Sequence, residues 1–181
     1  MKYSCPDKLK NKRIITIDIE TTGLDIQLNT IIQMGVVEFQ NGVEVLSYET
    51  MFGGGHSPLF LARRLHKISD SKRKSLPSFK EKSEKIANYL SNSLIVTHNG
   101  TRFDLPFIHR VLKEGGHSII NSEYVDTFTI AKKIGHESNS LENLSKQYGL
   151  LYDDKNHTGL ADARNTLELY FCFLNKHPEL C

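Results

Sequence analysis

The stretch TIDIETTGL, Thr16 to Leu24, decides how the chain is read. With Ile14 and Ile15 in front of it, it has the β-branched density of a strand. Strand side chains alternate, so Ile15, Ile17 and Ile19 share one face while Thr16, Asp18 and Glu20 share the other. Neighbours on one face lie about 7 Å apart, close enough for two carboxylates to converge on one or two ions. A half-exposed strand with its polar face in water would show the same alternation, so the pair gains meaning only with further acids.

Two further acids follow. In THNGTRFDLPFIHRV, Asp104 precedes Phe107, Ile108 and Val111 by three, four and seven residues, which places it on the core-facing stripe of a helix. Pro106 fits the first turn of that helix. Asp162 stands seven and eleven residues before Leu169 and Phe173, on a second such stripe. Either aspartate alone is explained by the preference for acids in a first helical turn. Four carboxylates facing protein interior would repel and resist ionisation unless positive charge lay between them, and two divalent cations would balance them. All-oxygen ligation selects Mg2+ or Mn2+ over zinc. A pair of such ions roughly 4 Å apart is the arrangement that stabilises both oxygens of a phosphoryl displacement. His157 in NHTGLADAR, five residues before Asp162, is the candidate base. Five helical steps turn by about 140°, so His157 is expected on the loop entering the helix rather than on the face of Asp162.

At 181 residues, 39% hydrophobic and 24% charged, the chain has the size and composition of one domain with a full core. It is expected to be a single unit over 1–181, with about residues 1–11 a polar lead-in. A formal net charge of +2 neither requires nor excludes nucleic acid; Lys72, Arg73 and Lys74 are the candidate basic patch for a strand backbone. Three cysteines, Cys5, Cys172 and Cys181, with no C-x-x-C spacing argue against a disulfide framework or structural zinc. Lacking a long apolar run, the chain is expected to be cytoplasmic, with no membrane partner.

RIITIDIE, IIQMGVVEF and VEVLSYETMF, the last two joined by Asn41-Gly42, predict an antiparallel meander. A helix is expected from Pro77-Ser78 through Leu90, then a buried strand at SLIVTH, a helix at DLPFIHRVLKEGG and a strand at EYVDTF. SLENLSKQYG and GLADARNTLELYFCFL read as closing helices. The sum is an α/β fold with a mixed sheet covered by helices on both faces.

In this order the motifs DIETTGL, HNGTRFD and HTGLAD resemble those of the DEDDh 3'-5' exonucleases, the group that includes the proofreading subunit of bacterial replicative polymerase, ribonuclease T and oligoribonuclease. Secondary landmarks are IIQMGVVEF, HKIS, LPSF, VDT and SLENL. The resemblance covers nearly the whole chain and implies an RNase H-like fold with a mixed five-stranded sheet. It implies that Asp18, Glu20 and Asp162 bind one cation, that Asp18 bridges to a second near Asp104, and that His157 is the general base. It further implies that Thr21, Thr22 and Leu24 line the pocket for the terminal nucleotide, Leu24 as an apolar wedge. Phe103, His98 and Asn99 join the substrate-binding residues, although His98 and Asn99 suit fixing the loop before Asp104 equally well. Lys67 stands where HGIT members have glycine, and Gly100 where many have alanine. The activity implied is release of nucleoside 5'-monophosphates from single-stranded DNA 3' ends in proofreading or repair, with RNA trimming or a non-catalytic binding module as alternatives. A DNA polymerase is a candidate protein partner; oligomeric state is left open.

Overall fold

The computed structural model describes residues 4–54, 70–152 and 158–180. Strands β1 (Ile14–Thr21), β2 (Ile31–Gln40) and β3 (Val43–Met51) form the expected meander. The β2–β3 turn takes positive φ at Asn41 (54°) and Gly42 (84°), as a two-residue primed hairpin requires. β4 (Leu94–Thr97) and β5 (Glu123–Asp126) add parallel to β1, giving one five-stranded sheet ordered β3-β2-β1-β4-β5.

The helices are α1 (Asp70–Arg73), α2 (Ser83–Leu90), α3 (Asp104–Glu114), α4 (Thr127–Lys133), α5 (Leu141–Gln147) and α6 (Gly159–Lys176). The start signal expected at Pro77-Ser78 is a capping box: the Ser78 N–H donates to Glu81 and the Glu81 N–H to the Ser78 hydroxyl. It heads a 3-10 turn, Lys80–Lys82, before α2 begins at Ser83. The strand expected through EYVDTF stops at Asp126, and the chain turns directly into α4 because the Asp126 carboxylate caps the Phe128 N–H at 3.0 Å.

Alternation along β1 sorts the sheet into two cores. Ile15, Ile17 and Ile19 pack with Met34 and Val36 under α2 and α3. Ile14, Val37 and Phe39 pack on the opposite face against Ala163, Leu167, Phe171 and Leu174 of α6. The far side of α6, through Leu169, Cys172 and Phe173, is covered by Ala131 of α4 and Leu144 of α5. A helix enclosed by apolar neighbours on both sides is fixed in position, and that fixes what it carries at its start. Cys5 and Leu9 join the second core, so part of the polar lead-in is anchored to the domain. Cys5 and Cys172 are buried and form no disulfide. No helix among the described residues is long and apolar enough to cross a membrane.

Candidate active site

The site forms where β1 outruns its parallel neighbour. β1 and β4 pair only from Ile14 to Thr16, leaving the carboxyl end of β1 open on that side. The Ile19 N–H, with no strand to meet there, donates to Asp104 Oδ1 at 3.0 Å, which ties the first residue of α3 to the strand bearing Asp18 and Glu20. Asp104 is buried, as its helical stripe predicted. Immediately after Glu20 the β1–β2 register slips, Glu20 facing Gln33 and Thr21 facing Ile31, a bulge of the kind that re-aims side chains beside functional sites.

Asp162 arrives by a closer approach. Asp18 lies opposite Gly35 on β2, and the start of α6 sits on that glycine: a Cβ on Gly35 would fall 2.0 Å from the Gly159 carbonyl carbon and 2.1 Å from the Leu160 nitrogen. From the other side, a Cβ on Gly159 would lie 3.2 Å from the Asp18 carbonyl oxygen. Two glycines thus let a helix end touch the strand backbone, and Thr158 caps that end through the Ala161 N–H at 3.2 Å. Beyond Gly35 in the same cross-strand row stands Glu49, which accepts from the Leu160 N–H at 3.3 Å.

Electrostatics report the convergence. Burial, then the charges of Asp104, Asp162 and Glu20, push the Asp18 carboxyl well above its ordinary range. Burial, then Asp162, Asp104 and Glu49, raise Glu20 to about 7. Asp104 rises to about 7 through burial, opposed by its backbone hydrogen bonds and aided by Asp126. Burial and the neighbouring carboxylates all act upward on Asp18 and Glu20, as expected where like charges are gathered with no positive charge between them. Among the described residues no three acidic, histidine or cysteine side chains form a ready-made ion cage. The oxygen-only donor set nonetheless suits a hard divalent cation, whose charge would reverse the repulsion.

The loop before Asp104 is organised by a residue that the sequence marked only as a landmark. Asp126, at the end of β5, accepts from the Asn99 N–H at 2.8 Å and from the Thr101 N–H and hydroxyl at 3.0 and 2.6 Å. Asn99 therefore sits at φ 59°, held through its backbone. His98 is engaged at both ring nitrogens, Nδ1 with the Thr127 hydroxyl at 2.8 Å and Nε2 with the Asn139 carbonyl at 2.9 Å, and burial lowers its pKa. Its ring braces the loop. Phe103 is partly buried against the first core, edge-on to Phe107 at 5.0 Å. Gly100 has its own cause: a Cβ there would meet the Thr97 side chain at 2.4 Å.

Thr21 and Thr22 are buried, and their hydroxyls hold the turn, donating to the Gly23 carbonyl at 2.7 Å and to Asn29 Oδ1 at 3.0 Å. Leu24, by contrast, is 81% exposed. The expected basic patch needs correction at Arg73: that side chain is buried and donates to the carbonyls of Phe52 and Gly54, so it fastens the chain after β3 rather than facing a strand of nucleic acid. A guanidinium with carbonyl partners within reach is stabilised by turning inward. Lys74 is exposed; the Lys72 side chain, Lys67, Cys181 and His157 lie outside the described residues.

Comparisons with known proteins bear on the family and the fold. The RNase_T family, described as Exonuclease, matches residues 15–170. DNA polymerase III PolC-type of Thermotoga petrophila is 30% identical over 175 residues, covering 94% of this chain and 12% of that polymerase. Its counterpart in Mycoplasma genitalium is 25% identical over 177 residues, again with 12% of its length covered. The chain thus spans about an eighth of the length of the curated relatives it matches. Among solved structures, E. coli Exonuclease I in complex with a dT13 oligonucleotide superposes with a TM-score of 0.82 at 15% identity, over 94% of this chain and 42% of that one, which shows a shared fold.

Proposed function

Because the chain belongs to the RNase_T exonuclease family, we propose that it is a metal-dependent 3'-5' exonuclease that hydrolyses single-stranded DNA from the 3' end and releases nucleoside 5'-monophosphates. The observation that carries this reading is the gathering of Asp18, Glu20, Asp104 and Asp162 at the open end of β1, held by the Ile19–Asp104 hydrogen bond and the Gly35–Gly159 contact. DNA as substrate is supported by the polymerase relatives and by the oligonucleotide-bound protein of the same fold. Proofreading and repair are the settings that likeness suggests.

Asp18, Glu20, Asp104 and Asp162 would hold two divalent cations, Mg2+ or Mn2+, which would supply charge stabilisation to the attacking and leaving oxygens. The chain's own residues do the remaining work. His157, as a neutral imidazole, takes the proton from the attacking water. Asp126 and His98 hold the loop that sets Asp104, and the Gly35–Gly159 contact sets Asp162. Leu24 lies against the terminal base. Since the Thr21 and Thr22 hydroxyls are engaged in the turn, these two residues meet the strand through their backbone.

The test is incubation of the purified protein with 5'-labelled single-stranded DNA, RNA, and matched or mispaired duplexes, with magnesium or chelator. Stepwise shortening of single-stranded DNA that stops in chelator is the expected result. Faster shortening of RNA would identify an exoribonuclease, and binding without cleavage a non-catalytic module.

A further inference from the structure

Resting on the nuclease reading above, the structure assigns a second substrate contact: we propose that Leu28 forms an apolar lip with Leu24 against the bases at the 3' end of a single strand, and that Arg110 is the positioning residue that holds this lip in place.

The turn between β1 and β2 follows Thr21, the residue after Glu20, so it adjoins the carboxylate-bearing end of the strand. Leu24 is 81% and Leu28 75% exposed, while Ile26 between them packs against the first core. The exposure does not come from a loose loop. Asp25 Oδ1 accepts from the N–H groups of Gln27 and Leu28 at 2.8 and 3.1 Å, and its carbonyl accepts from the Asn29 N–H at 2.9 Å. Thr22 and Thr30 close the base of the turn, the Thr22 N–H donating to the Thr30 carbonyl at 2.9 Å and the Thr30 N–H to the Thr22 hydroxyl at 3.0 Å. Two leucines are therefore displayed to water from a locked backbone, where each would gain from being covered. Leucine is among the side chains that wedge apolar surface between bases, and a single strand offers unstacked bases beside the scissile end.

Arg110 joins this turn to the helix that starts at Asp104. Its guanidinium donates to the Asn29 carbonyl at 2.7 Å, is steadied by Glu114 at 2.6 Å and lies over the Phe107 ring at 6.0 Å. One side chain thus connects the lip to the element carrying a catalytic carboxylate, so the spacing between terminal base and cleaved bond is set through Arg110.

Anisotropy of a 5'-fluorescein oligodeoxythymidylate, measured in chelator so that the strand stays intact, reads the lip directly. Leu28→Ser should weaken binding about tenfold, the worth of much of a leucine contact. With the last two nucleotides made abasic, the same substitution should change binding by less than about twofold, because the contact is to bases rather than to phosphates. Arg110→Gln should show the same base dependence, and Arg110→Lys, which keeps one donor for the Asn29 carbonyl, should recover part of the affinity. Thermal melts confirm that each variant is folded. Wild-type protein that neither binds nor shortens any strand overturns the functional reading and the lip together. Wild-type protein that shortens the strand, beside a folded Leu28→Ser that binds both oligonucleotides as wild type or loses affinity equally for both, overturns the lip alone.

Discussion

Gly35→Ala tests how the cleft is built. The added Cβ would stand 2.0, 2.1 and 2.2 Å from three backbone atoms of Gly159 and Leu160, where ordinary contact begins at 3.4 Å. No side-chain rotation relieves a clash with backbone, so the start of α6 and β2 must separate by roughly the 1.4 Å difference between 3.4 and 2.0 Å. Asp162 lies three residues into that helix and shares its charge environment with Asp18 and Glu20. Displacements near 1 Å in such sites cost about 100-fold in rate. Overpacking typically costs about 1–3 kcal/mol, and each kcal/mol lowers Tm by about 2–4 °C in a domain of this size. Single-turnover cleavage of labelled single-stranded DNA, with circular dichroism melts in parallel, measures both effects. Gly42→Ala is the control: nothing stands within 4 Å of its added Cβ, so only the strain of φ 84° remains, at the hairpin tip. A Gly35→Ala protein that melts and cleaves like wild type would refute the claim that this contact positions Asp162.

Three further outcomes are expected. Because Glu20 and Asp104 titrate near 7 in the folded protein, against ordinary values of 4.5 and 3.8, the folded state binds more protons than the unfolded one between those limits. In chelator, stability should therefore be greatest below about pH 4–5 as far as these groups go and should fall as pH rises through about 7, and melts with magnesium should lose that slope. Replacing His157 by alanine should slow the chemical step about 10²–10⁴-fold with strand binding intact, and activity should decline as pH falls through roughly 6.5; fast single-turnover cleavage with lost affinity would make it a binding residue. Asp126→Ala strands the N–H groups of Asn99, Thr101 and Phe128, so it should lower both Tm and turnover. Unchanged turnover in that variant would show that Asp104 needs no such support.

The carboxylates were legible because their periodicity is local: alternation along β1 and helical stripes after Asp104 and Asp162 each span a few residues. The hairpin was legible from Asn41-Gly42 set between two strand-like runs. Asp126 was not, since a strand that becomes a helix within one residue leaves no break in the apolar pattern of EYVDTF, and its partners at Asn99 and Thr101 are remote in sequence. The Gly35–Gly159 contact joins residues more than a hundred positions apart, and its local trace in β2 is a glycine in the middle of a strand. Arg73 shows the limit of reading charge runs: three adjacent cations look like a surface patch until carbonyls near one of them draw it inward.

The hydrogen bond from the Ile19 N–H to Asp104 has a use beyond architecture. In a sheet, an amide is shielded by a neighbouring carbonyl whose charge never changes; this one is shielded by a carboxylate that titrates near 7. Its proton resonance therefore works as a spectroscopic gauge set in the wall of the cleft. Followed by NMR through pH or through an ion titration, one backbone signal reads the charge state of the centre without label, substrate or turnover.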